Sequence, residues 1–417
     1  MIADSDGLRI SVDHVFLILL FLFGVDVLDL SGMLMTGTIL LFFFLNLTNI
    51  RFDFDTGLLL LFSLFYFGSV AFYEGLTFDI IIKFAIAPWG CYLIGYNMRL
   101  NNRSISVTSF ATILVFGFFL HGMLNLYSSI QVFGTSLNNN YRLAYDFWQG
   151  RAIAVTGASL YYTPFTLMSI GILFFSKKKV TRAIAVLSLP LGIYASLIYQ
   201  NRTLILACAL IFALNLFLVL VDSDMPGGKK LRIYGAVAAV VLAAVIAFLA
   251  NVAGIRDTIM NSSLMNRVTG DKQDRTTLWA SFIFGEAWKY PFGGNRAVIH
   301  ENRDFVHNTW LDVFRRGGLI PFLTLVTFTI RSFFSIRSFR EFSILTGEDC
   351  GVIISLLAGT ALSFFVEPVI EANPYVFYIP ILVMGAVNGH NRDTHDLLDT
   401  FEGNPVWWPQ IYTGDAA

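Results

Sequence analysis

Apolar residues fall along this chain in about twelve runs separated by short polar turns. The runs cover Val15–Leu28, Met33–Leu47, Gly57–Phe72, Phe78–Tyr96, Ser106–Tyr127, Ile153–Phe175, Ala183–Tyr199, Leu204–Val221, Ile233–Val252, Leu319–Phe334, Val352–Val366 and Val376–Val387. They are continuous rather than alternating, which is the pattern of helices in apolar surroundings and not of barrel strands. A membrane-spanning helix needs about 20 mostly apolar residues. The pattern therefore predicts an all-α polytopic membrane protein with about 12 transmembrane helices. Several runs are short and interrupted by Gly, which predicts one or two half-spans.

Two polar stretches break the rhythm. The larger, Ala253–Gly318, separates the ninth and tenth runs, and the smaller runs from Gln131 to Ala152. The expected organisation is one transmembrane domain over residues 1–389, with the loop 253–318 inserted, and a tail over 390–417. No internal repeat is evident, which weighs against a secondary transporter.

Composition narrows the class. Hydrophobic residues make up 56% and charged residues 14%, where a soluble domain carries about 25% charged residues. A soluble enzyme, a disordered chain and a collagen-like fibre are excluded. The net charge of −1 argues against a nucleic-acid partner. Cys91, Cys208 and Cys350 are isolated, so neither a disulfide framework nor a zinc site is expected. No basic segment precedes the first run, and no cleavable leader is expected.

Lys and Arg set the orientation. With the N-terminus in the cytoplasm, inner segments carry 15 basic residues and the short outer loops only three, Arg142, Arg151 and Arg202. Both termini are then cytoplasmic and the long loop lies outside. Charge inside the spans, the usual mark of a transport path, is limited to Lys83, with Asp26, Glu367 and Glu371 near outer ends. Asp222-Ser-Asp224 has the look of a metal-holding Asp-x-Asp pair, but it falls on the cytoplasmic side beside an ordinary Pro-Gly-Gly turn. No metal and no other cofactor is expected.

Polar side chains concentrate in the long outer loop. Arg275 opens an amphipathic run that Pro291, Gly293 and Gly294 break. His307-Asn308-Thr-Trp-Leu311 starts a second helix, which Gly317 and Gly318 end. In order, Arg275-Thr-Thr-Leu-Trp279, Pro291-Phe-Gly-Gly294, His307-Asn308-Thr-Trp-Leu311 and Gly317-Gly318-Leu-Ile-Pro321 resemble the signature region of the O-antigen ligase and polymerase superfamily. Tyr199-Gln-Asn-Arg202-Thr resembles the Arg-bearing outer turn of the same superfamily. The resemblance covers roughly residues 183–387, and Pro291-Phe-Gly-Gly294 departs from the more usual Gly-x-Gly.

The resemblance implies a GT-C-like glycosyltransferase of the bacterial inner membrane with its active site on the periplasmic face. Such enzymes move a glycan from undecaprenyl diphosphate to an acceptor sugar, on another lipid-linked repeat (polymerases) or on lipid A–core (ligases). A chain-length regulator is a possible further partner. The residues suit that chemistry. Guanidinium forks bind phosphate oxygens bidentately and stay charged, which suits Arg202 and Arg275 to a leaving diphosphate without metal. An imidazole has an unperturbed pKa of about 6.5, which suits His307 to act as base toward the acceptor hydroxyl, with inversion at the anomeric carbon. Arg315 and Arg316 are further candidates for donor phosphate, Asn308 and Arg142 for substrate contact, and Trp279 for stacking on a sugar. Each has a structural alternative: span anchoring for Arg202, Arg315 and Arg316, a solvated pair for Arg275, a helix terminus for His307, and an aromatic belt for Trp279. The pI of about 6.6 and the modest loop favour a polymerase over a ligase. A lipid-glycan flippase is the alternative of another class.

Overall fold

The computed structural model describes residues 12–101, 105–135, 142–221, 225–252, 255–260, 275–294 and 305–402. In chain order its helices are α1 (Val12–Val25), α2 (Ser31–Asn46), α3 (Phe54–Glu74), α4 (Phe78–Ile80), α5 (Ala87–Asn101), α6 (Val107–Phe133), α7 (Val155–Phe175), α8 (Lys179–Ile198), α9 (Arg202–Val221), α10 (Gly227–Leu249) and α11 (Ile255–Met260). They continue with α12 (Arg275–Ser281), α13 (Ala287–Lys289), α14 (Thr309–Gly317), α15 (Leu319–Thr346), α16 (Cys350–Val366), α17 (Val369–Ala372) and α18 (Pro374–Glu402). The protein is thus an all-α protein of the membrane class. Each of the twelve apolar runs lies mainly on helix, and among the described residues seven helices are long and apolar enough to cross a membrane. Three further apolar helices, His14–Val25, Ser31–Asn46 and Cys350–Val366, are shorter. One small exception to the all-α expectation is an antiparallel hairpin, β1 (Leu143–Tyr145) with β2 (Ala152–Ala154), in the smaller loop.

Local chemistry explains where the helices start. Asp53 accepts from Thr56 N at 2.8 Å and caps α3. Ser106 caps α6, whose first turn also donates Val107 N to the Glu348 carboxylate at 2.9 Å. Gly75 and Gly134 follow the ends of α3 and α6 with positive φ. At the centre, α5 and α18 pack backbone to backbone. A Cβ on Gly95 would overlap the carbonyl oxygen of Leu382, and one on Gly385 that of Tyr92. Small residues at such crossings let spans approach closely.

Two helices run further than hydropathy suggests. The tenth run ends at Phe334, yet α15 continues to Thr346; the tail expected from residue 390 is helical as far as Glu402. Charged side chains on these turns find partners. Arg337 pairs with Glu341 at 3.6 Å and Arg392 with Asp396 at 3.0 Å, each one turn on; just inside the tenth run, Arg331 bonds Asp55, to which Asn388 Nδ2 also donates at 2.9 Å. A helix needs such partners, not apolarity, once it leaves hydrocarbon. Lys83 sits in a π-helical turn, Ile81–Ile86, and pairs with Asp79 at 2.7 Å.

The helices alternate in direction, so the chain has a site end and a far end. The C-terminal ends of α3, α6, α8 and α16 meet the N-terminal ends of α7, α9 and α15 at the site end. The hairpin, the segment 275–294 and the segment 305–318 gather there. Tyr145 N donates to Ser129 Oγ on α6 at 2.8 Å, Arg316 bonds Glu74 at the end of α3, and Arg275 donates to Val366 O at the end of α16.

Candidate functional site

The turn between α8 and α9 is built to present Arg202. Gln200 takes a left-handed conformation, φ 54°. Asn201 N reaches back to Ser196 O at 2.8 Å, and Asn201 Oδ1 caps α9 by accepting from Leu204 N at 3.1 Å. Arg202 is therefore the first residue of α9. It lines a narrow cleft of about 40 Å³ with Arg142 from the edge of the hairpin, Arg275 from the start of α12, and Glu367. Sequence separations of 60 to 225 residues collapse to one place. Three guanidiniums face one carboxylate, so the cleft is cationic.

Glu367 is the hub. Its side chain lies 3.8 Å from Arg275 Nη2 and 4.0 Å from His307 Nδ1. Thr203 Oγ1 donates to it at 3.4 Å. Its backbone is pinned as well: Thr309 Oγ1 donates to Glu367 O at 2.9 Å and accepts from Val369 N at 3.1 Å. The 4.0 Å separation from His307 exceeds hydrogen-bond length but is short for two groups that would share a charge.

His307 itself is held by its neighbours. It adopts a left-handed conformation, φ 59°, uncommon for a non-glycine residue. Asp312 brackets it, accepting from Val306 N at 2.8 Å and from Asn308 N at 3.1 Å. Trp279 Nε1 donates to Val306 O at 3.0 Å, and Asn308 Nδ2 to Phe365 O at 3.2 Å. Asn308 Oδ1 also caps α14 through Leu311 N. Asp312 is fully buried, and burial, with the nearby Glu371 carboxylate, pushes its carboxyl up to about 7. A strained backbone fixed by several buried bonds is a frequent companion of functional positions.

Arg315 and Arg316 face elsewhere. They line a second cavity of about 290 Å³ with Ser69, Tyr73 and Glu74 of α3, Gly294, Phe305 and Glu371. Arg315 forks onto both oxygens of Glu371 at 2.6 and 2.7 Å. Arg316 Nε donates to Glu74 at 2.7 Å. The Pro291-Phe-Gly-Gly294 turn closes this cavity. Gly293 and Gly294 both have left-handed φ, 80° and 75°, and Gly294 N donates to Arg316 O at 2.9 Å.

The structure thus brings Arg202, Arg275, Arg142 and His307 around Glu367, and sets Arg315 and Arg316 apart. Trp279 and Asn308 touch the His307 segment as braces: Trp279 packs edge-on against Phe365 at 5.0 Å. Trp310 packs on Phe364 and Phe365, and Trp288 is exposed. His121 is buried between Val25 O, 3.0 Å, and Asn125, 2.9 Å. His300 and the Asp222–Asp224 pair lie outside the described residues. Sequence reasoning placed Glu367 only near a span end and did not single out Asp312. The signal for Asp312 was present: an acid four residues after an N-cap Asn, on a helix whose other carboxylate partners are distant in sequence.

The sequence matches no family model, and no curated protein is similar to it at a significant level.

Proposed function

We propose that this protein is a membrane glycosyltransferase that takes a glycan from a polyprenyl diphosphate on the outer face of the bacterial inner membrane and joins it to an acceptor sugar. The observation that carries the reading is the convergence of Arg202, Arg275 and Arg142 with Glu367 in one cleft, with His307 Nδ1 4.0 Å from that carboxylate. The diphosphate would lie across the mouth of the cleft, where the guanidinium groups stabilise charge as the glycosyl–oxygen bond breaks. His307 takes the proton from the acceptor hydroxyl as that oxygen attacks the anomeric carbon. The bonding pair of the old bond leaves with the diphosphate, and the centre inverts. Glu367, 4.0 Å from Nδ1, stabilises the cationic form of the imidazole by its charge. An apolar groove of about 620 Å³, bounded by Trp310 at the site end and Arg340 toward the far end, supports a lipid-linked donor.

The favoured product is polymerised surface polysaccharide, of the O-antigen or exopolysaccharide kind; transfer to lipid A–core is the alternative with the same chemistry. A deletion strain separates them on a polysaccharide gel. Core capped by a single repeat marks loss of a polymerase, whereas bare core with accumulated long lipid-linked glycan marks loss of a ligase. Normal polysaccharide in strains carrying His307→Ala or Arg202→Ala would refute the transferase reading. A flippase remains the second reading because a polar cavity of about 610 Å³, lined by Asp53, Asp55 and Arg331, lies toward the far end. It requires glycan to appear outside vesicles without any new glycosidic bond.

A further inference from the structure

The two site-end cavities differ in charge. The Arg202 cleft sets three guanidiniums against Glu367. In the Arg316 cavity each guanidinium is matched by a carboxylate of the lining, Glu371 for Arg315 and Glu74 for Arg316, with the buried Asp312 behind Arg315 at 3.5 Å. That balance gives an anion no advantage. It suits a neutral ligand rich in hydroxyls, which donate to carboxylate oxygens and accept from guanidinium N–H groups. Two aromatic rings complete the lining, Phe305 and Tyr73, and such rings pack on the C–H faces of sugars. Ser69 and the half-exposed Tyr73 lie on the same wall. At about 290 Å³ the cavity is at the small end of ligand pockets, a size for one ring rather than an oligosaccharide.

Its position relates it to the cleft. Phe305 lines the cavity, and two residues later His307 approaches Glu367, which lines the cleft. Glu367 and Glu371 are likewise joined only by the short segment through α17. His307 therefore has a neighbour from each: Glu367 of the cationic cleft at 4.0 Å and Phe305 of the balanced cavity at 6.3 Å between ring centres. A base between donor and acceptor needs that arrangement.

We propose that the cavity formed by Tyr73, Glu74, Phe305, Arg316 and Glu371 is the acceptor subsite, binding a single neutral hexose ring whose hydroxyl is presented to His307. The assignment of the ring as acceptor rests on the transferase reading; the binding of a neutral sugar is testable by itself. The experiment uses the full chain in lipid nanodiscs and a panel of methyl hexosides, including glucoside, galactoside, mannoside and N-acetylglucosaminide, read by saturation-transfer difference NMR. At least one glycoside should receive saturation from the wild type. The signal should fall fivefold or more in Tyr73→Ala and in the near-isosteric Glu74→Gln, and persist in Arg202→Ala. Melting temperatures check that both pocket variants are folded. Absence of transfer to every glycoside, or transfer that survives both folded variants, overturns the proposal. Undecaprenyl diphosphate binding to the same samples tests the transferase reading separately, because it should weaken in Arg202→Ala and stay unchanged in Glu74→Gln. Glycoside binding without undecaprenyl diphosphate binding would keep the sugar pocket and remove the transferase; the reverse would keep the transferase and remove the pocket.

Discussion

Asp312 shows how much one buried side chain can organise. Its two oxygens accept the N–H groups on either side of His307, so the catalytic candidate is positioned by a residue five places along the chain. Asp312→Ala would leave both N–H groups buried without that acceptor, at roughly 1–3 kcal/mol each. The expected outcome is a lower melting temperature and loss of glycan transfer, with undecaprenyl diphosphate still bound through Arg202. The same carboxyl carries a pH signature. Its folded value of about 7 lies above the roughly 3.9 of an unfolded Asp. The folded protein then holds more protons than the unfolded chain between about pH 4 and 7, so this group's contribution to stability falls as pH rises through that window. Melting temperature against pH should fall less steeply in Asp312→Asn than in wild type; parallel curves would remove Asp312 from the account. Glu367→Gln is expected to reduce transfer at least tenfold, because a neutral amide no longer stabilises imidazolium beside it. A steady-state assay on the reconstituted protein checks this, and an unchanged rate would exclude the His307–Glu367 pairing.

Among the elements, the turn 291–294 was legible only in part. Pro and Gly announced a break, but not that two consecutive left-handed residues dock on the end of α14, where Gly293 meets the backbone of Arg316 and Gly317. A left-handed residue with a Cβ costs roughly 1–2 kcal/mol, and here the Cβ also meets backbone. Gly293→Ala should therefore lower the melting temperature and disturb the Glu74–Arg316 cavity; a melting curve identical to wild type would contradict the packing. Helix starts at Asp53, Ser106 and Asn308 carried their usual polar caps and could be read directly. The extents of α15 and α18 could not, because the apolar runs end at Phe334 and Val387, whereas the helices continue on ion pairs such as Arg337 with Glu341 and Arg392 with Asp396. The first turn of α14 was likewise readable from His307-Asn308-Thr-Trp-Leu311, but the pairing of Arg315 with Glu371 crosses 56 residues and leaves no local trace.

At the scale of the whole molecule, the twelve apolar runs gave the helices, because burial in lipid demands long apolar stretches with internally bonded backbone. The same demand makes the few charged residues informative. Those at the site end come from the α8–α9 turn, the hairpin edge, α12 and the segment after α16, and only folding shows that they divide into a cationic cleft and a balanced cavity. Arg202 and Arg275 were singled out because guanidinium suits phosphate; their separation from Arg315 and Arg316 depended on carboxylates far away in the chain. The account stands on Arg202 and Arg275 acting together on a lipid diphosphate. The most direct test is the affinity of undecaprenyl diphosphate for the full chain in nanodiscs, in EDTA, comparing wild type with Arg202→Ala and Arg275→Ala. A charge-assisted hydrogen bond contributes about 1.5–3 kcal/mol, so each variant should bind roughly ten- to a hundredfold more weakly. Equal affinity in all three proteins, or no binding by the wild type, would contradict the account.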